Sequence, residues 1–229
     1  IPHILSVDID KRPKKSAKFI FPKKCPSCGS NTEKEFNKFT KKTDAVRRCS
    51  SEGYFCEKIS VEKLKHFVSK EAFNIDGLGK KIIEEFWKLK FIQFPQDIFK
   101  LDYKKIEKLE GWGSLSVENL KYSINQKKNI SLERFIFALG IRHIGLENSK
   151  LLSKHFLSFL KFQNLSKIKN YNDLLNIDGI GETQVGSIKN FFSNEINLKV
   201  LDELGKILVI KNALAKKQNG SLQGKSFLV

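Results

Sequence analysis

The chain has 229 residues, of which 40% are hydrophobic and 19 are Phe, enough apolar mass for one large or two small domains. Its 42 Lys and Arg against 25 Asp and Glu give a net charge of +17, which indicates a polyanionic partner such as nucleic acid unless the lysines only reflect codon bias. Apolar runs fall far short of the ~20 residues of a membrane helix and no signal peptide is visible, so we expect a soluble, cytoplasmic chain.

The first segment, residues 1–23, alternates apolar and polar residues and has a Pro near each end. This pattern predicts one or two β-strands. Because the chain contains no Met and starts at Ile1, we expect a piece of a longer protein, with the rest of this β unit missing.

All four cysteines lie close together in sequence. Cys25 and Cys28 are two residues apart, Cys49 follows after twenty residues, and Cys56 after six more. Four thiolates suit tetrahedral Zn²⁺ and leave no open coordination position, so a structural zinc finger is predicted over residues 24–59 with these four ligands. Two disulfides are disfavoured in a reducing cytosol, and a redox Cys-x-x-Cys would need a βαβ context.

Positive charge is concentrated beside the cysteines. Residues 11–48 hold 13 Lys and Arg against 3 Asp and Glu, which is +10 of the total charge. We therefore expect a basic face in this part of the chain rather than a uniform excess.

Residues 60–212 predict a helical domain in which a Gly-bearing turn recurs. The first Gly of each turn is placed at 77, 111, 145 and 179, a constant step of 34 residues, and helically spaced apolar residues follow each turn. Such a turn leaves backbone N–H groups at a helix N-terminus, where they suit a DNA phosphate and position the duplex without reading its sequence. A tetratricopeptide solenoid shares this period, but its signature residues are not visible.

The candidate DNA-binding residues belong to these four turns: Gly77, Leu78, Gly79, Lys80, Gly111, Trp112, Gly113, Ser114, Arg142, Gly145, Gly179, Ile180 and Gly181. The third turn is interpreted as lacking its second Gly, so the first two turns are the stronger candidates and the third is chiefly a packing element. Trp112 is interpreted as packing between repeats or touching a sugar, and Arg142 as binding a phosphate or a neighbouring acid. His143 is expected to be a structural hydrogen-bonding group.

These motifs resemble the carboxy-terminal half of bacterial NAD-dependent DNA ligase. Phe21-Pro22 looks like the exit from its oligonucleotide-binding (OB) barrel, and Cys25-Pro-Ser-Cys28-Gly29 looks like its zinc finger. Ile75-Asp-Gly-Leu-Gly79 is similar to the entry into its helix-hairpin-helix domain, and Phe137-Ala-Leu-Gly-Ile-Arg-His-Ile-Gly145 is its most specific string. Leu222-Gln-Gly-Lys225 looks like the start of its BRCT domain.

The resemblance implies a mainly α fold. It assigns residues 1–23 to the last strands of the OB fold, 24–59 to the four-cysteine finger and 60–212 to four helix-hairpin-helix repeats. Residues 213–229, which turn polar after Leu214, are assigned to a linker and the start of the BRCT domain.

The resemblance also implies an activity. The whole enzyme would use NAD and Mg²⁺ to seal 5′-phosphate/3′-hydroxyl nicks in duplex DNA during replication and repair, as a monomer in the bacterial cytoplasm and nucleoid. Its adenylated lysine belongs to a Lys-x-Asp-Gly motif, but here Asn74 and Asn176 stand at the lysine position before the two Asp-Gly pairs. We therefore expect no catalytic residue in this chain, no adenylation or ligation by it alone, and a role in binding nicked DNA beside the remaining domains.

Two alternatives stay open. A stand-alone DNA-repair scaffold could be built from the same hairpins without any ligase activity. A protein-interaction solenoid is the other, and the charge and the paired glycines count against it.

Overall fold

The computed structural model describes residues 5–37, 41–51 and 53–214. The predicted linker and BRCT start therefore lie almost wholly outside the described residues, as does the beginning of the first predicted strand. Contacts between residues divide the chain into two units, residues 1–51 and 52–229.

The first unit contains a β-hairpin. Strand β1 (Thr32–Asn37) pairs antiparallel with β2 (Lys42–Cys49), with an irregularity in the register between Lys34 and Phe36. Residues 5–23 are exposed and form no strand, contrary to the sequence prediction. A strand needs partners for its backbone N–H and C=O groups. Within the described part of the chain only the end of this segment has such partners elsewhere: the Lys23 carbonyl accepts from the Thr32 N–H over 2.9 Å, and the Pro22 carbonyl accepts from the Thr32 hydroxyl over 2.7 Å. Its assignment to an OB fold stays a prediction.

The second unit is mainly α-helical, as predicted. Its described helices are α1 (Glu57–Phe67), α2 (Lys80–Lys88), α3 (Tyr103–Ile106), α4 (Ser114–Gln126), α5 (Leu132–Ala138), α6 (Leu146–Phe156), α7 (Phe159–Gln163), α8 (Glu182–Phe192) and α9 (Glu195–Ile207). Short 3₁₀ helices occupy Pro95–Lys100, Asn164–Lys167 and Asn172–Asn176. None of the described helices is both long and apolar enough to cross a membrane.

One small sheet in this unit joins distant parts of the chain. Strand β3 (Asn129–Ser131) pairs in parallel with β4 (Val209–Lys211), and the Ala213 N–H donates to the Leu157 carbonyl over 2.8 Å. The sequence did not predict this sheet, because a three-residue strand has no readable periodicity.

Phenylalanine side chains fill much of the core of the second unit. Phe67 stacks on Phe73 at 4.2 Å between ring centroids, and Phe162 makes edge contacts with Phe156 and Phe192. Aromatic pairs in these arrangements add stabilisation beyond the area they bury. The abundance of Phe in the sequence is therefore used to pack short helices against one another.

Candidate nucleic-acid interface and metal cluster

The same tight turn precedes α2, α4, α6 and α8. In each turn the middle residue donates its N–H to the carbonyl three residues earlier, over 2.9 to 3.4 Å: Leu78 to Ile75, Trp112 to Leu109, Ile144 to Ile141, and Ile180 to Ile177. The residue before the middle one has positive φ, and the residue after it is the extended N-cap of the helix. Positive φ at the third of four residues is typical of a type II turn, where Gly is favoured.

The positions of these turns correct the predicted register. The N-cap glycines are Gly79, Gly113, Gly145 and Gly181, so successive turns are 34, 32 and 36 residues apart rather than a constant 34. Gly145 is thus equivalent to the second Gly of the other turns. The third turn lacks its first Gly, which is replaced by His143 at φ 60°.

The middle residues of the turns belong largely to the core. Leu78, Ile144 and Ile180 are buried, and Trp112 is half-buried with its ring 5.6 Å from that of Phe86. The side chains of Leu78 and Ile180 pack inward, and a DNA contact at these two positions stays a prediction. The packing interpretation of Trp112 agrees with the observed ring contact.

The exposed parts of each turn are its glycines and the start of the following helix. The first N–H to bond within α2 is that of Ile83, which donates to the Gly79 carbonyl over 3.0 Å. The N–H groups of the first helical residues therefore have no partner inside the helix, and they lie at the positive end of its dipole. Lys80, the first residue of α2, is exposed there.

The four N-cap amides are not equivalent. The Gly113 N–H donates to Ser116 Oγ over 2.9 Å, and the Gly181 N–H donates to Gln184 Oε1 over 3.2 Å. Among the described residues, no such bond is made by the N-cap amides of the first and third turns. Ser114, a predicted phosphate ligand, donates its hydroxyl to Glu107 over 2.6 Å.

The first two turns pack reciprocally. A methyl group on Gly77 would lie 3.3 Å from Leu120 of α4, while Trp112 of the second turn rests on Phe86 of α2. Each turn thus contacts the helix that follows the other turn.

The third and fourth turns repeat this arrangement. A methyl group on Gly179 would lie 2.8 Å from Leu151 of α6, and His143 of the third turn is hydrogen-bonded to Ser187 of α8 at 3.0 Å. The four turns therefore form two pairs of the same design, which the sequence spacing alone did not indicate.

Two side chains join the pairs. Arg134 of α5 donates to the carbonyls of Ala72 and Lys70, over 2.8 and 2.7 Å, in the segment that leads into the first turn. His66 of α1 lies 2.7 Å from the carbonyl of Phe137, through Nε2. The planar guanidinium suits two carbonyls at once. Sequence reasoning missed both contacts, since the partners are 62 to 71 residues apart.

The structure brings the four cysteines together. Cys25, Cys28, Cys49 and Cys56 place their sulfur atoms within 4.8 Å of one another, and the Cys28 and Cys49 sulfurs are 3.4 Å apart. Zn–S bonds of ~2.3 Å in a tetrahedron require sulfur separations of roughly 3.8 Å. The cluster therefore fits a metal ion such as Zn²⁺ after small side-chain adjustments.

The two paired thiols titrate in opposite directions. Hydrogen bonds from the Ser30 side chain and backbone lower the pKa of Cys28 to about 6, whereas burial raises the pKa of Cys49 to about 12. The hydrogen bond between the two sulfurs, 3.4 Å apart, adds to both shifts, because the Cys49 thiol donates to Cys28 as thiolate. Binding of a metal must release the remaining proton.

Residues of the second unit fix the backbone around Cys56, which is the N-cap of α1. Ser60 Oγ lies 2.8 and 2.9 Å from the carbonyl oxygens of Tyr54 and Cys56, which share its single hydroxyl proton. Lys63 Nζ donates to the Gly53 carbonyl over 2.9 Å and lies 4.7 Å above the Tyr54 ring. Burial lowers the pKa of Lys63. These contacts hold the segment in one conformation, and the sequence did not single them out.

Comparison with known proteins supports the resemblance to DNA ligase that the sequence motifs indicate. Residues 134–201 match the family model described as "Helix-hairpin-helix motif". The chain is 62% identical over 229 residues to "DNA ligase" of Pelagibacter ubique, covering all of this chain and 34% of that protein. It is 42% identical to "DNA ligase" of Ehrlichia canis, covering 100% of this chain and 34% of the relative. For "DNA ligase" of Parvibaculum lavamentivorans the identity is 41%, over 96% of this chain and 32% of the relative. The chain thus spans about a third of the length of the curated relatives it matches, and the resemblance to DNA ligase that its motifs indicate is confirmed along its whole length.

Proposed function

We propose that this chain is the part of an NAD-dependent DNA ligase that holds duplex DNA around a nick, without sequence preference. The relatives that match along the whole chain are named DNA ligase, and the helix-hairpin-helix match lies within the second unit. A stand-alone repair scaffold is not favoured, because the relatives named above match along essentially the whole chain and are all named DNA ligase.

The recurrence of one turn ahead of four helices carries this proposal. Each turn exposes helix N-terminal N–H groups on a chain of net charge +17, and such groups bind phosphate oxygens. Two pairs of turns would engage the backbone at several points. Contacts to phosphates set the position and orientation of a duplex but carry no base information, which suits an enzyme that must act at any nick.

The turns differ in how ready they are for phosphate. We place the main contacts at the first and third turns, through the backbone N–H groups of Gly79, Lys80 and Gly145 and the side chains of Lys80 and Arg142. The second and fourth turns would bind after Ser116 and Gln184 release the N-cap amides. This order differs from the one that the sequence favoured.

We further propose that Zn²⁺ is held by Cys25, Cys28, Cys49 and Cys56. Four thiolates fill its tetrahedral shell, so the ion supplies folding energy rather than a reactive water. The basic β-hairpin between these ligands would then present a fixed surface to DNA, since a segment this short has little core of its own.

The chemistry of ligation is assigned to the rest of the parent protein. NAD and Mg²⁺ would act there, because Asn74 and Asn176 occupy the place of the reactive lysine before the Asp-Gly pairs. The ligase would work as a monomer in the cytoplasm, on the nucleoid, and this chain alone would bind nicked DNA without sealing it.

A matched pair of variants tests the backbone contact. Proline is favoured at the first residue of a helix, and Gly79 (φ −65°, ψ 167°) has the extended conformation that a following proline requires. Lys80→Pro and Lys80→Ala both remove the charge, but only Lys80→Pro removes the N–H. We expect Lys80→Pro to bind nicked duplex about tenfold more weakly than Lys80→Ala, because it loses one hydrogen bond to a charged phosphate. The helix content of the two variants should be the same. Equal affinity would exclude the amide as a phosphate ligand.

A further inference from the structure

One of the four turns carries a side chain where the other three have none. His143 stands at φ 60° in the position held by Gly77, Gly111 and Gly179, whose φ values are 80 to 88°. Positive φ is uncommon for residues other than Gly. A residue kept in such a conformation points to a function that Gly would not supply, provided that the side chain is placed for one.

The imidazole of His143 is held in one orientation. Its Nδ1 lies 3.0 Å from Ser187 Oγ, and Ser187 in turn donates to the Thr183 carbonyl over 3.0 Å. A hydroxyl has one proton to donate, so Ser187 accepts from His143 and the proton of the neutral ring is on Nδ1. Asn148 fixes the backbone by donating to the His143 carbonyl over 3.0 Å.

The other ring nitrogen is available for a ligand. His143 is exposed, and within the described part of the chain Nε2 makes no hydrogen bond. With the proton on Nδ1, Nε2 of the neutral ring accepts, whereas in the imidazolium it donates. A phosphate oxygen only accepts, so a contact between Nε2 and a phosphate requires the charged ring.

The surroundings favour phosphate as the ligand. Arg142, also exposed, precedes His143 on the turn, and Gly145 caps α6 two residues later. His143 is hydrogen-bonded to Asn148 of α6 and Ser187 of α8. The charged residues of these helices nearest to the two partners in sequence are Glu147, Lys150, Glu182 and Lys189. Glu147 is paired with Lys150 at 2.7 Å, whereas Glu182 makes no ion pair among the described residues.

We propose that His143 is a DNA-contacting residue, whose Nε2 in the imidazolium form donates to a backbone phosphate while Ser187 holds the ring. This inference rests on the proposed function and adds to it a side chain that the other turns do not have. Histidine changes its charge between pH 5 and 8. The contact therefore makes DNA binding stronger as the pH falls through that range, with uptake of a proton.

Three variants of the 229-residue chain test the contact. His143→Gly gives the third turn the residue of the others and removes the ring without backbone strain. Ser187→Ala keeps the ring but removes its support. His155→Gln is the control, since His155 is also exposed, lies on α6 and has its ring 4.8 Å from that of Phe156. Affinity for a nicked duplex is measured at about pH 6 and about pH 8 at one ionic strength, with the melting temperature of each variant.

We expect the wild type and His155→Gln to bind more tightly at the lower pH. His143→Gly should lose about tenfold in affinity at that pH, the value of one hydrogen bond to a charged group, and should lose the difference between the two pH values without melting earlier. Ser187→Ala should lose less. If His143→Gly binds like the wild type, or loses affinity only as its folded fraction falls, His143 is structural and the inference is overturned. Failure of the wild type to bind at either pH would overturn the proposed function as well.

Discussion

Substitution of three turn glycines by Ala distinguishes the turn positions observed in the structure from those that a constant spacing of 34 residues suggests. Gly111 has φ 80° and open space around the position of a Cβ, so Gly111→Ala should cost only the backbone term, about 1–2 kcal/mol. Gly179 has φ 87°, and its added methyl would lie 2.8 Å from Leu151 Cδ1. The flexible Leu151 must move, so Gly179→Ala should cost that backbone term plus roughly 1–3 kcal/mol of overpacking.

Gly145 should behave differently, because it is an N-cap with φ −85° and no heavy atom near the Cβ position. Ala is a poorer N-cap than Gly, which destabilises the folded chain, but it also makes the unfolded chain less flexible, which favours folding. Because these effects oppose each other, Gly145→Ala should change the free energy of unfolding by less than about 0.5 kcal/mol. The assay is urea unfolding followed by circular dichroism, with the slope checked for constancy. If Gly145→Ala were as costly as Gly111→Ala, Gly145 would be the equivalent of Gly77, and the register with His143 in the turn would be refuted.

The metal cluster supports three further predictions. Replacing Cys25 and Cys28 together with Ser should abolish stoichiometric zinc, measured by metal analysis; retained zinc would exclude these ligands. Acidification should release the metal, because protons compete with it for the thiolate ligands; release that is independent of pH would argue against thiolate ligands. Lys63→Met should lower zinc affinity about tenfold in chelator competition, because the bond from Lys63 to the Gly53 carbonyl holds the segment that carries the ligand Cys56. Lys58→Met, on the exposed side of α1, should leave the affinity unchanged. Equal affinities of the two variants would mean that Lys63 does not position Cys56.

The features that were predicted from sequence depend on local chemistry. Two cysteines two residues apart indicate a metal-binding turn, and a Gly ahead of a helical pattern indicates a turn with positive φ. The glycine spacing misplaces the third turn, because it compares residue types and not backbone conformations. His143 adopts the conformation that Gly has elsewhere, and a pattern of glycines cannot show this.

The features that were missed depend on contacts across long stretches of chain. Arg134 reaches the carbonyl of Ala72, β3 pairs with β4, and His143 meets Ser187, 44 residues away. Nothing in the neighbouring sequence marks these partners, because each contact joins segments that are far apart in the chain. The pairing of the turns, which decides where the exposed amides lie, is therefore a property of the tertiary structure alone.

The most direct test of the account is the affinity of the chain for nicked duplexes of two unrelated sequences, measured across a salt series. We expect the logarithm of the association constant to fall linearly with the logarithm of salt concentration, by roughly 0.9 per phosphate neutralised, and to be the same for both sequences. A flat salt response, or strong preference for one sequence, would contradict a grip on the DNA backbone by the four turns.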